Sequence, residues 1–342
     1  MMNCFSLLFI CLTQFLSSFI GKTYCPPNKL TTQQIFVLEG KAQGTTYTIK
    51  YISSDSILTK FEIDSVLHSI DQSLSLYNPQ SLISLFNKSA IGIKYDEHLF
   101  NVVSQAIKTY TISQGAFDIT CKPLSLLWGF GKEANSLPPK EKISNALGSV
   151  GSNKLIFRND SLIKLLPSVL IDCDGIAQGY SVDVLFEFVQ QKKLSNYIIE
   201  LGGEIRTAGF NLNQLPWMIG IENPNLSYDN EFMLTRKVAI SGKAITTSGS
   251  YKKFKKIGEN YFSHVIDPVK GHPVDNGVIS VSVIAKDAIT ADALDNAFMV
   301  MGIEKSFAFQ NDMPDIGVFI LYQKKDGSIA DTSNAFFKSY LK

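Results

Sequence analysis

Short runs that alternate apolar and polar residues recur along most of this chain, and no regular helix-by-helix rhythm separates them. Such runs read as half-buried strands. Residues 35–42 and 45–52 form a strand, a kink at Gln43-Gly44 and a second strand; further runs are Tyr197–Leu201, Trp217–Ile221, Val238–Ser241, Val278–Ala285 and Val318–Tyr322. A doubly wound parallel sheet needs strands and helices in alternation, and its dinucleotide-binding form needs GxGxxG after a strand. Gly129-Phe130-Gly131 is too short to serve as that motif. The fold class that follows is α+β, with mixed or antiparallel sheets and packed helices. Helical spacing places Ile63, Val66, Leu67, Ile70 and Leu74 on one face, and Leu99, Val102, Val103, Ala106 and Tyr110 on another. A strand through Val169–Asp172 is expected to break at Asp174-Gly175 and resume as a helix bearing Val182, Leu185, Phe186 and Val189. With no internal repeat, solenoids are excluded.

Charge excludes one class of function. Among 342 residues, 32 Lys+Arg face 31 Asp+Glu, and no dense basic run supplies a footprint for nucleic acid. The five cysteines are too few for a disulfide scaffold and have no zinc-site spacing. Phe5 to Ile20 is apolar but short of the roughly 20 residues of a membrane span, so it fits a signal-peptide core better. Lys22-Thr23-Tyr24-Cys25 then offers a cysteine for lipid modification, although Thr-Tyr are not the small residues that usually precede one. The expectation is a signal peptide or N-terminal anchor over residues 1–24 and one domain over 25–342, exported to the periplasmic side of the inner membrane. Cys25 would be the point of attachment to the membrane surface.

Several clusters offer chemistry. Ala291-Asp292-Ala293-Leu294-Asp295-Asn296-Ala297 opens an apolar helix expected to close at Gly302. Asp292 and Asn296, four apart, project oxygens from one face, and Asp295 stands close enough to help. Oxygen ligands suit a hard cation such as Mg²⁺; an acidic first turn capping the helix is the competing reading. Asp172-Cys173-Asp174-Gly175-Ile176-Ala177-Gln178-Gly179 is a glycine-bracketed turn where a main-chain carbonyl, such as that of Ala177, could be a further ligand; a tight connection capped by Asp174 explains it equally. Thr246-Thr247-Ser248-Gly249 can wrap phosphate oxygens or form a plain polar turn. His264, one of four histidines, is suited to moving a proton near neutrality, or is structural at a strand start. Leu76-Tyr77-Asn78-Pro79 and Gly115-Ala116-Phe117-Asp118, with Trp128-Gly129-Phe130, supply rings that fill a core or wall a flat ligand. Cys121 and Cys173 read as buried core thiols.

Taken in order, these clusters resemble the ApbE family, the FAD:protein FMN transferases. The resemblance runs from Gln43-Gly44-Thr45 to about Gly302 and includes Asp174-Gly175-Ile176-Ala177, Gly202-Gly203-Glu204-Ile205-Arg206, Thr247-Ser248-Gly249, His264-Val265-Ile266-Asp267-Pro268 and Ala291-Asp292-Ala293-Leu294. It implies a flavin-binding α+β architecture related to the T-fold. It also implies Mg²⁺-dependent transfer of FMN from FAD to a Thr or Ser hydroxyl of an acceptor protein, with AMP leaving. That acceptor would be a redox protein of the membrane or periplasm. Carried over by residue, Gln43, Tyr77, Ala116, Phe117, Asp118, Asp174, Gln178, Thr247, Ser248 and His264 would lie against FAD. The Ala177 carbonyl, Asp292 and Asn296 would hold the metal, and His264 and Asp292 would be catalytic, with His264 oriented through Asp267 or its neighbours. Three positions depart from the family pattern: Gln43 often Met, Gln178 often Lys or Glu, and Asn296 usually Thr. Asn keeps an oxygen for a cation. Two rivals share these residues: a pyrophosphatase that splits FAD to FMN and AMP with water, and a non-catalytic exported FAD-binding protein.

Overall fold

The computed structural model describes residues 32–130, 136–222, 234–250, 254–257 and 260–342, with Gln33–Lys342 forming one unit. The apolar leader, Cys25, Gly131 and Tyr251 lie outside the described residues. Eight strands make the main sheet: β1 (Gln34–Ala42), β2 (Thr45–Ser53), β3 (Tyr197–Leu201), β4 (Glu204–Ala208), β5 (Ala244–Gly249), β6 (Val278–Ala285), β7 (Gly317–Gln323) and β8 (Ile329–Ser333). They lie in that order across the sheet, and every pairing is antiparallel. The architecture is α+β, and everything else among the described elements is inserted between neighbouring strands or, for the last helix, follows β8.

The described residues carry eight helices, the first seven in those insertions: α1 (Lys60–Leu74), α2 (Leu82–Lys88), α3 (Glu97–Ile112), α4 (Lys122–Leu127), α5 (Lys140–Leu147), α6 (Ala177–Gln191), α7 (Ala288–Gln310) and α8 (Ala335–Lys338). The two helices expected from periodicity are α1 and α3, and each starts where its side chains satisfy orphan amides. Thr59 and Glu62 form a reciprocal capping box at α1 (3.3 and 3.0 Å), and Asp96 accepts from the Leu99 N–H (2.8 Å) at α3. Their apolar faces join α6 and the inward residues of β2 and β3 (Tyr47, Ile49, Tyr51, Tyr197, Ile199) in the largest core. α7 covers β6 and β7 through Leu294, Phe298 and Met299, while Trp217–Glu222 and Leu234–Ile240 form a hairpin that packs on the sheet with α8.

Three local expectations change. The kink at Gln43-Gly44 is a full reversal: both residues have positive φ (52° and 75°), the two-residue turn that suits the twist of a hairpin. Val169–Asp172 is not a ladder strand. The Ile171 N–H donates to Asn87 Oδ1 (2.8 Å), Asn87 Nδ2 donates to the Ile171 carbonyl (2.9 Å), and the Asp172 N–H donates to the Ile119 carbonyl (2.7 Å). A side-chain amide thus takes the place of a neighbouring strand. The helix that opens at Ala288 does not stop at Gly302; that residue is a kink (φ 75°, ψ 177°), and helix resumes to Gln310.

Candidate functional site

The site is built where the first turns of α6 and α7 meet, and three α6 residues set that meeting. Gly179 is in contact with α7: an added Cβ would fall 2.5 Å from the Ala288 carbonyl oxygen and 2.7 Å from the Asp292 Cβ. Its N–H donates to Asp292 Oδ2 (2.9 Å). One turn on, Asp183 accepts from the first two amides of α7, Ala288 N–H on Oδ1 (2.9 Å) and Ile289 N–H on Oδ2 (2.8 Å). Arg206 from β4 pairs with the same carboxylate (2.6 Å) and stacks on Phe186, its guanidinium carbon 3.9 Å from the ring centre. Burial pushes the Asp183 carboxyl up to about 6, against the opposing pull of Arg206. The third residue is Ser181, whose hydroxyl donates to the Ala177 carbonyl (2.8 Å) and accepts from Gln43 Nε2 (2.8 Å) in the β1–β2 turn.

On α7, Asp287 caps the helix by accepting from the Thr290 N–H (3.1 Å), so Asp292 is not needed as a cap. Asp292 and Asp295 are instead buried, 4% and 1% exposed. Burial raises both carboxyls above the ordinary range; the charges of Asp183 and Asp174 add to it at Asp292, and the charge of Asp292 adds to it at Asp295. Asn296 completes the face. Its Nδ2 is ringed by the Asp292 carbonyl (3.0 Å), Asp295 Oδ1 (3.0 Å), the Gly175 carbonyl (3.3 Å) and Asp292 Oδ1 (3.5 Å), while Oδ1 accepts from the Ser248 hydroxyl (3.3 Å). Among the described residues no three His, Cys, Asp or Glu side chains cluster as a metal cage. The oxygens on this face come instead from a carboxylate, a carboxamide and a backbone carbonyl, a donor set that fits a hard cation retaining some of its water.

Asn296 forms part of the wall of a cavity of about 820 Å³, together with Tyr77, Ala116, Phe117, Asp118, Asp174 and His264 among others. A smaller cavity of about 440 Å³ shares Leu76, Tyr77 and Asp174 with it and adds Gln43, Asp71, Ala177 and Gln178. Tyr77, two residues beyond the Ser75 cap of α1 and 90% exposed, stands at the border of both. His264 lies half-buried in the bend between Asn260–Ser263 and the short strand Ile266–Asp267. Asp267 is occupied within its own turn, accepting from the amides of Val269 (2.9 Å) and Lys270 (3.0 Å) and pairing with the Lys270 ammonium (2.9 Å). Asp118 borders the cavity, but its carboxylate knits the wall. It takes the N–H and hydroxyl of Thr120 (2.8 and 2.6 Å) and those of Ser152 (3.2 and 2.7 Å). Cys173 is a buried core thiol, whereas Cys121 is half-buried and lines the cavity; burial pushes both thiols above their ordinary range.

The structure thus gathers Gln43, Tyr77, Ala116, Phe117, Asp118, Asp174, Ala177, Gln178, His264, Asn296 and, just below the surface, Asp292. Thr247 is not gathered. Side chains alternate across a strand, so Thr246 and Ser248 of β5 face α7, whereas Thr247 is exposed on the other face and bonds Ser282 (2.8 Å). Sequence reasoning missed Gly179, Ser181, Asp183 and Arg206. The glycine bracket around the α6 turn was the signal for the first; the others show only once distant segments are packed.

Known proteins resemble this chain in both sequence and fold. The sequence profile described as the ApbE family matches residues 43–320. The FAD:protein FMN transferase of Escherichia coli (strain K12) is 34% identical over 300 residues, covering 84% of this chain and 85% of that protein. The solved flavin transferase ApbE from Vibrio cholerae superposes with a TM-score of 0.80 at 34% identity, over 91% of this chain and 100% of that one. The apo flavinyl transferase ApbE from Pseudomonas stutzeri superposes at 0.81 with 29% identity, over 90% and 97%.

Proposed function

Since this chain belongs to the ApbE family, we propose that it is an FAD:protein FMN transferase that moves FMN from FAD onto a Thr or Ser hydroxyl of an acceptor protein, with Mg²⁺ bound and AMP released. The observation that carries this reading is the convergence of Asn296 of α7, the Asp174-Gly175 turn before α6 and His264 on a cavity of about 820 Å³ with an aromatic wall. The acceptor oxygen forms a bond to the FMN-side phosphorus, the pyrophosphate bridge breaks, and the bridging oxygen leaves with AMP.

Asp292, Asn296 and the Ala177 carbonyl are the residues that would hold the cation. When bound, it supplies charge neutralisation at the pyrophosphate. The chain's own residues do the rest. Tyr77 and Phe117 border the space for the flat ring system. Ser248 and Asp174 stand at the polar end, beside Asn296 and the α6 turn. His264 accepts the proton of the acceptor hydroxyl at a ring nitrogen, a service worth about 10²–10⁴-fold. Residues 1–24 as a leader, export and a lipid anchor at Cys25 belong to the same proposal, since an enzyme acting on an exported redox protein must meet it there.

The test is to incubate the purified chain with FAD, Mg²⁺ and a flavin-accepting protein, and to weigh the acceptor. A gain of one FMN with stoichiometric AMP supports transfer. AMP and FMN appearing at the same rate with no labelled acceptor would mean that water is the attacking group. Asp292→Ala should abolish labelling, and labelling at the wild-type rate would remove the cation from the reading.

A further inference from the structure

Resting on the cation site proposed above, we propose that Asp295 is a positioning residue: backed by Thr246, it orients the Asn296 carboxamide so that oxygen, not nitrogen, is presented to the cation. A carboxamide has two faces of opposite chemistry and nearly equal shape, so Asn can serve as a ligand only if something chooses between them. A threonine hydroxyl has no such ambiguity. Here the choice is made from behind. Asn296 Nδ2 lies 3.0 Å from Asp295 Oδ1, and Asp295 Oδ2 is itself fixed by the Thr246 hydroxyl at 2.6 Å. Asp295 is 1% exposed and Thr246 is fully buried, so neither is free to turn away.

Each remaining neighbour of Nδ2 is also an acceptor: the Asp292 carbonyl, the Gly175 carbonyl and Asp292 Oδ1. A flipped amide would set its oxygen against all of them. At Oδ1 the hydrogen bond among the described residues comes from the Ser248 hydroxyl, which can donate or accept and makes no choice. Protonation of Asp295 would not alter this, because Oδ2 can carry the proton toward Thr246 while Oδ1 still accepts. Asp295 therefore acts through Asn296 and not as a ligand, and its carboxylate is turned to β5.

The test is binding of Mn²⁺ alone, as a spectroscopic stand-in for Mg²⁺, read from the free-ion electron paramagnetic resonance signal with the full chain. Asp295→Leu removes the acceptor and should weaken Mn²⁺ binding by about 10–100-fold, the usual cost of losing a partner that orients a ligand. Thermal melting without metal should be unchanged or higher, since a buried carboxyl is removed from beside Asp292. Asp295→Asn keeps an acceptor oxygen and should stay within about threefold of wild type. In an Asn296→Thr background, Asp295→Leu should cost less than about threefold, because no amide is left to orient. Equal weakening by Asp295→Asn and Asp295→Leu would show that charge, not orientation, is what Asp295 supplies. Undiminished loss in the threonine background would likewise overturn the proposal. Absence of Mn²⁺ binding by the wild-type chain is a separate outcome and would remove the cation site itself.

Discussion

Replacing Gly179 with alanine tests whether helix contact, and not ligand chemistry alone, sets the site. The new methyl carbon would stand 2.5 Å from the Ala288 carbonyl oxygen, 2.8 Å from its carbonyl carbon and 2.7 Å from the Asp292 Cβ. Carbon and oxygen in ordinary contact sit at about 3.3 Å or more, so α6 and α7 must part by roughly 0.8 Å. Backbone cannot yield as a long side chain does, and overpacking of this kind costs about 1–3 kcal/mol. Alanine returns up to about 1 kcal/mol through its better helix propensity. The net loss is then up to about 2 kcal/mol, a fall in Tm of up to roughly 3 °C for a chain of this size. Function should suffer more than stability. The same movement lengthens the bond from the Gly179 N–H to Asp292 Oδ2, now 2.9 Å, and carries Asp292 away from the α6 turn. A displacement near 1 Å at reacting groups can cost about 10²-fold, so the rate of acceptor labelling should fall by that order while FAD remains able to bind. Thermal melts and initial rates on the same preparation decide it. Wild-type rates in a destabilised Gly179→Ala protein would refute the argument that the α6–α7 contact positions Asp292.

Asp183 sets a pH signature. Its carboxyl is raised from 3.8 to about 6, so its stabilising share is fully present below about pH 4 and lost as pH rises through 6. Relative to wild type, Asp183→Asn should gain stability across that interval, by up to about 3 kcal/mol; melts from pH 4 to 8 with parallel curves would contradict it. Arg206→Ala leaves the buried Asp183 carboxylate without its cation and should cost about 3–5 kcal/mol at pH 8, measured by denaturant titration, with a smaller cost at pH 5. His264→Ala should slow labelling by about 10²–10⁴-fold while FAD binding, followed by flavin fluorescence, stays near wild type; loss of binding in step with rate would make His264 a wall and not a proton acceptor.

Much of the frame was legible because it is local. The periodicity in Ile63–Leu74 and Leu99–Tyr110 is amphipathic helix, and alternation found most of the sheet. Errors arose where a distant group replaced a local one. Val169–Asp172 has the composition of a strand, yet Asn87, 84 residues away from Ile171 in sequence, supplies its bonds. Strand parity, which hides one of each adjacent pair, sent Thr247 to the face away from α7 while its neighbours went inward. Asp292 and Asn296 stood out at helical spacing, but the role of Asp183 could not be read, because the amides it caps are 105 and 106 residues further on. Asp295 was visible as a spare acid beside Asp292 and Asn296; that it faces Thr246 is a property of the β5–α7 packing.

The order of strands across the sheet has a consequence for when the protein becomes competent. Gly179 and Asp292 meet across the α6–α7 contact, and β3, β4, β5 and β6 are threaded between them in the chain. A nascent or truncated polypeptide lacking α7 has neither Asp292 nor Asn296, and its α6 turn opens onto solvent. The part of the larger cavity wall that Asn296 supplies is thus among the last to be put in place, after the meander has zipped as far as β6.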